Sequence, residues 1–225
     1  MKLTLNQPAL WLLASSLLIN TSAAANSNDF SDELDYLTIN GCVIKPETQC
    51  PGADFSGQDL SNQDLSHANL KGANFSGAQL NHTRFNDTNL EKANFSDAMM
   101  LRADLRHANL RGARLVNANL TGANLYTTFA QTADFSGANM TAANMEFSRI
   151  SKARFVRTTM TAVNLEMSWA TKINLEEADL TGANLQEAKL SGSNMVRTNL
   201  SQTRKHYANF LDINMEDCQG CPLDW

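Results

Sequence analysis

The side chains with the most reactive chemistry in this chain are four cysteines, which fall in two close pairs, Cys42 with Cys50 and Cys218 with Cys221. Cys218-Gln219-Gly220-Cys221 has the spacing of a dithiol redox motif, in which a helix start lowers the pKa of the attacking thiol. No helix start and no alternation of strand and helix surrounds it, so a structural disulfide is the first reading and a thiol-disulfide redox role a distant one. A zinc site using all four thiols would be the sharper idea. The two pairs bracket a long repetitive region, however, and a rod of that length holds them too far apart to share an ion.

The remaining groups are weaker. His67 and His107 recur at the same place in the repeat but two turns apart, and His82 lies on another side, so all three read as surface residues. Asp and Asn precede most repeat centres and could imitate rows of metal ligands, but the repeat itself supplies them. Asn74-Phe75-Ser76 and Asn94-Phe95-Ser96 match the glycosylation pattern for the same reason. No catalytic residue, metal site or cofactor is assigned.

The elements that must carry these groups follow from one period. From Phe55 to Met215 every fifth residue is apolar except Lys205, giving thirty-three uninterrupted repeats with small centres only at Ala130 and Ala170. Two places before each centre stands a compact residue, usually Ala and otherwise mostly Thr or Ser. A period of five fits neither an α-helix at 3.6 nor a strand at 2, so the chain must turn a corner every five residues. The centre and the compact residue point inward, the other three positions face water, and glycines such as Gly57 and Gly72, two places after a centre, sit where a turn can require φ > 0.

Large side chains stack best when they recur once per turn. Five of the seven Phe centres, Phe55, Phe75, Phe95, Phe135 and Phe155, share one class modulo 20, so four repeats make a coil. Thr121, Thr141, Thr161 and Thr181 keep the same interval and predict a hydroxyl ladder. Thirty-three repeats then form about eight coils and, at about 4.8 Å per coil, a rod roughly 40 Å long. Runs such as Ala68-Asn69-Leu70-Lys71-Gly72 and Ala123-Asn124-Leu125 resemble the A(D/N)LXX consensus of the pentapeptide-repeat proteins. The resemblance covers residues 51–217 and implies an all-β fold, a right-handed quadrilateral parallel β-helix. Val163 and Ile173 at the compact position and Lys205 at a centre are expected to mark local loosening or an approaching end.

Open coils expose strand edges, so both ends need caps. Residues 26–50 form the expected N-terminal cap, with a short helix around Asp32 to Leu37. The tail from Leu211 to Trp225, containing Pro222, closes the other end, with residues 218–225 beyond the last repeat. Residues 1–25 have the layout of a secretory signal: Lys2, an apolar run from Ala9 to Ile19, and Ala23-Ala24-Ala25 as a cleavage site. The run is too short to span a bilayer, which needs about 20 residues, so no transmembrane anchor is expected after cleavage. The mature chain is expected to start near Asn26 in the periplasm or outside the cell, where disulfides persist.

The chain carries a formal charge of -5, but its ends hold most of it: residues 51–217 contain 16 Lys and Arg against 17 Asp and Glu. A nearly neutral body gives no steering toward nucleic acid. The basic groups Arg102, Arg106, Arg111, Arg114, Arg149, Lys152, Arg154 and Arg157 are spread round the coil, and most read as solvated. One irregularity stands out. Phe129 and Trp169 take the Asp/Asn position two coils apart, Arg149 takes it between them, and Tyr126, Phe147 and Met167 occupy the neighbouring corner. An apolar strip with a cation at its centre is typical of interface anchors; the alternative is that Phe129 and Trp169 fold inward over Ala130 and Ala170.

The strip and the capped rod predict a non-catalytic exported scaffold whose partner is another protein or a second copy. The resemblance implies an alternative, because some cytosolic relatives imitate DNA and bind type II topoisomerases, giving quinolone resistance. The neutral body, the export signal and the lack of loop insertions argue against it.

Overall fold

A five-residue corner works only if the backbone can reverse direction within each repeat, and the centres show how. Residues 36–222 are described by the computed structural model. In most repeats the carbonyl of the centre accepts the N–H of the residue three places on, as in Ala78 N to Phe75 O at 3.0 Å. The residue two after the centre has positive φ, the type II geometry. Glycines fill some of these sites, such as Gly77 at 65°, but His67, Lys92, Phe147 and Met167 adopt the same conformation at 54–59°. Glycine is therefore preferred there and not required.

Between corners, each flat side joins the coils before and after it. Phe75 N donates to Asn94 O at 2.7 Å, Asn94 N to Ala73 O at 2.9 Å, and Gly77 N to Ser96 O at 2.9 Å. The resulting parallel bridges pair residues 20 apart, from Gln49 with Asn69 to Asn199 with Gln219, so four repeats make one coil. One bridging residue per side is too little for a conventional strand.

The core matches the inward and outward pattern. Ring centroids of Phe55 and Phe75, Phe75 and Phe95, and Phe135 and Phe155 lie 5.0, 4.8 and 4.9 Å apart in stacked pairs. Phe85 meets Phe75 and Phe95 edge-on. Val163 and Ile173 are fully buried with the bridges unbroken around them. Val163 keeps the corner bond to Met160 O, whereas at Ile173 the corner opens to admit a hydroxyl, Ile173 N donating to Ser193 Oγ at 3.1 Å and that Oγ to Ala170 O at 3.2 Å. Either branched side chain fits the space an Ala fills elsewhere. From Lys205 onward the core thins: Lys205 turns out to donate from Nζ to Gly220 O at 2.5 Å, while Phe210 remains buried.

Asp and Asn before the centres do more than face water. Asp54 Oδ1 and Asp59 Oδ1 accept the N–H groups of Ser56 and Ser61 at 3.0 Å, fixing the corner. Asn adds a second bond, since Asn94 Nδ2 reaches Asn74 Oδ1 and Asn164 Nδ2 reaches Asn144 Oδ1 in the coil before. The hydroxyl ladder, by contrast, has one rung, Thr141 to Thr161 at 3.1 Å. Thr121 and Thr181 bond Asn119 and Asp179 within their own repeats, and Thr141 bonds Asn139 in the same way at 2.8 Å beside its rung. Buried threonines at the compact position instead donate to a centre carbonyl 23 residues back, as Thr128 does to Leu105 O at 2.9 Å. Ser148 and Ser168 in the same column are buried with their hydroxyls unpartnered.

The N-terminal end is closed by a hairpin. Strands β1 (Thr38–Ile39) and β2 (Cys42–Val43) pair antiparallel, joined by Asn40 and Gly41 at φ 50° and 81°, the signature of a tight type I′ turn. Asn40 Nδ2 donates to Asp54 O at 2.7 Å, and Cys42 is bonded to Cys50. Tyr36 and Leu37 are in no helix; the rest of the predicted helix, the leader and Trp225 lie outside the described residues. Cys218 and Cys221 are also paired, and no free cysteine occurs among the described residues.

Replacing Thr128 by Val should cost about 1 kcal/mol, whereas Ser148→Ala and Ser168→Ala should leave stability unchanged or raise it, because no bond is lost; urea midpoints at constant slope check both. A second expectation concerns acid. The backbone N–H of Ser61 holds the Asp59 carboxyl below its ordinary value of 3.8. A carboxyl depressed in the folded state adds stability above its unfolded value, and that stability is lost as pH falls through the folded one. The thermal midpoint of the rod should therefore fall below about pH 4, and Asp59→Asn, which keeps the acceptor, should flatten that limb.

Candidate functional site

One side of the rod departs from the polar Asp/Asn pattern. Successive bridges place Asn109, Phe129, Arg149, Trp169 and Lys189 in a single column. Because their neighbours on either side, the centre and the compact residue, point inward, these side chains point out. Trp169 is 57% exposed and Phe129 half-buried, while Ala130 and Ala170 beneath them are fully enclosed by the stacked centres. The inward alternative is thus overturned: the backbone period leaves this position no route to the core.

Phe129 is held between two cations. The guanidinium carbon of Arg111 lies 5.1 Å from its ring centroid and that of Arg149 5.3 Å. Both arginines stay exposed and set their guanidinium groups against the ring. Arg106 and Arg154 are held too, by Asp104 and Asp134.

The neighbouring corner carries Tyr126, Phe147 and Met167. The Tyr126 and Phe147 rings meet edge-on at 5.7 Å, and Tyr126 also meets His107 at 6.1 Å. His107 Nδ1 is hydrogen-bonded to Thr127 Oγ1. Phe147 is 39% exposed and Met167 half-buried, both at positive φ. Bulky apolar residues gain nothing from that conformation, which a glycine or asparagine takes more cheaply. All six strip residues are brought to one side of the rod across adjoining coils. The cysteine pairs lie at the two ends, away from it.

Nothing in this arrangement converges as reacting groups must. Among the described residues no cluster of His, Cys, Asp or Glu could hold a metal ion. A shallow hollow lies on another side, lined by Val116, Asn117, Ser136, Gly137, Val156 and Arg157, and offers one arginine and no general base.

Models of pentapeptide repeats match nearly the whole rod: that for the pentapeptide repeat region covers residues 52–125, and that for eight copies of the repeat covers 131–166, 158–195, 171–202 and 178–218. The chain belongs to the pentapeptide-repeat family. Membership brings the description of the coil as a right-handed quadrilateral β-helix, in agreement with the 20-residue bridges. No curated protein matches the chain. Solved structures similar to it include HetL, a pentapeptide-repeat protein involved in heterocyst differentiation regulation in the cyanobacterium Nostoc, at 22% identity over 77% of this chain and 87% of HetL, with a TM-score of 0.36. QnrB1, a plasmid-mediated fluoroquinolone resistance protein, is 18% identical over 75% of this chain and 86% of its own, with a TM-score of 0.45. A pentapeptide-repeat protein of the Arabidopsis thaliana thylakoid lumen is 37% identical over 44% of this chain and 67% of its own, with a TM-score of 0.20.

Sequence reasoning missed two features of this pentapeptide-repeat protein. The hairpin cap was signalled by Asn40-Gly41 between short β-prone runs. The bracketing of Phe129 needed the spatial closeness of Arg111 and Arg149, which are 38 residues apart.

An exposed Trp beside fixed cations has an optical consequence. Iodide should quench the Trp169 emission more strongly than caesium does, salt should reduce the difference, and Trp169→Phe should remove that component and leave the emission of Trp225 and, in the uncleaved chain, Trp11. Steady-state quenching of the wild type and Trp169→Phe in iodide, in caesium and with added salt checks the outward placement and the local charge together.

Proposed function

We propose that this pentapeptide-repeat protein is an exported, non-catalytic scaffold that presents one aromatic and cationic side of its rod to a protein partner. The observation that carries this reading is the exposed Trp169 in column with Phe129 and its two bracketing arginines. Trp, Tyr, Phe and Arg are the residues enriched at the energetic centres of protein interfaces. A filled core with side chains in parallel stripes supports binding over catalysis, because reacting groups need a water-excluding cleft in which to meet.

In this reading residues 1–25 are a cleaved signal, 26–50 and 218–225 are end caps, and 51–217 form a rod of about eight coils. The paired cysteines at both ends fit an oxidising compartment, periplasmic or extracellular. Imitation of DNA would call for rows of carboxylates, and the column of Arg149 and Lys189 has the opposite sign.

Cell fractionation with intact-mass analysis tests the export half: the native chain should begin near Asn26, lie outside the cytosol and resist alkylation until reduced. For the surface half, Phe129→Ala with Trp169→Ala should weaken association by tenfold or more while far-UV spectra stay unchanged. A cytosolic chain retaining Met1 with free thiols would count against export, and unchanged association against the surface.

A further inference from the structure

Charges in neighbouring coils of this rod generally stack with opposite sign. Asp64 meets Arg84 at 3.2 Å, Lys71 meets Glu91 at 3.1 Å, Asp134 meets Arg154 at 3.7 Å and Glu177 meets Arg197 at 2.8 Å, each pair 20 residues apart. Two places break the rule. Glu146 stacks with Glu166, and Lys152 with Lys172, at about the 4.8 Å interval of adjacent coils. Like charges so placed repel, and no ion pair among the described residues involves any of the four. Amide donors relieve the carboxylates in part: Asn164 Nδ2 lies 3.4 Å from Glu146 and Asn184 Nδ2 2.8 Å from Glu166. Both lysines are exposed.

Their location ties the two exceptions together. Glu146 and Glu166 occupy the corner before the aromatic column, and Lys152 and Lys172 the corner after it, in the same two coils. The side that exposes Arg149 and Trp169 is therefore edged by a negative pair on one border and a positive pair on the other.

The geometry points to a second copy of this chain as the occupant: two rods pack side by side and parallel through this face, related by a two-fold axis along the rod. Such an axis keeps each coil at its own height and exchanges the borders. Glu146 and Glu166 then meet the second copy's Lys152 and Lys172, and the reverse pairs form on the other border. Trp169 meets its own counterpart on the axis, and the two Arg149 side chains are flanked by a Glu146 from each copy. An antiparallel pair would set carboxylate against carboxylate and lysine against lysine. A uniformly acidic partner would be repelled by the glutamates, and a uniformly basic one by the lysines. The inference rests on the reading of the strip as a contact surface and names its partner. The patch spans about four coils, or about 19 Å of rod, which places the interface at the small end of specific contacts.

Sedimentation velocity on the purified chain over a concentration series tests it. The wild type should dimerise and weaken with salt. Glu146→Lys with Glu166→Lys, and separately Lys152→Glu with Lys172→Glu, should each weaken self-association about tenfold or more, because both borders then carry one sign. Mixed in equal amounts, the two variants should form a heterodimer at least as tight as the wild-type dimer, detectable by a mass tag on one of them. All four residues are at the surface, and circular dichroism confirms that the variants fold. A chain still monomeric at about 1 mM would overturn the pairing, as would charge variants that dimerise like the wild type. In the latter case Trp169→Ala separates the two ideas. If it abolishes association, the contact strip stands and the parallel pairing falls; if it too has no effect, both fall.

Discussion

The backbone hydrogen bonds that join residues 20 positions apart are the constraint from which the rest of this molecule follows. They fix the interval between coils, and with it the distance at which any side chain meets its counterpart one turn on. Stacked Phe rings at 4.8–5.0 Å, Asn amides bonding Asn carbonyls and opposite charges in register all use the same interval. A residue more or less within a flat side would break the contacts that span it, whereas Val163, Ile173 and Lys205 change side chains and leave the backbone interval intact.

Within that frame the corner residue is the cheap variable. Its positive φ is set by the turn, and its side chain lies outside the core, so the cost of placing a bulky group there is local. Phe147 and Met167 exploit this, as do Phe129 and Trp169 on the adjoining flat side. The rod thus separates stability from recognition: the inward positions hold the coil, and the outward ones are free to carry chemistry without weakening it. Such a filled rod has little means of building a cleft, but it can display rows of groups at a fixed spacing. Borders of opposite sign around an aromatic column are a pattern that only such a display produces.

Much of this was legible in the residues. Lys205 correctly signalled the thinning of the core, and the mod-20 recurrence of Phe gave the coil. The hydroxyl ladder is reduced to one rung because sequence spacing shows which threonines are neighbours but not which acceptors they take; Thr121, Thr141 and Thr181 all bond the side chain two residues back. The supposed loosening at Val163 failed for a related reason, since the volume available beside a centre depends on the residues in the coils above and below, while at Ile173 the corner bond is relayed through the Ser193 hydroxyl.

The sequence by itself determined the period, the inward pair in each repeat and the four-repeat coil, because each follows from covalent spacing once the chain must turn every five residues. The tertiary structure alone decided which groups pair across coils: that Arg111 and Arg149 close on Phe129, that Ser148 and Ser168 remain unpartnered, and that Trp169 stands exposed. Those outcomes depend on distances of a few ångströms between residues far apart in the chain, and rotamer choice at each site settles them after the register is set.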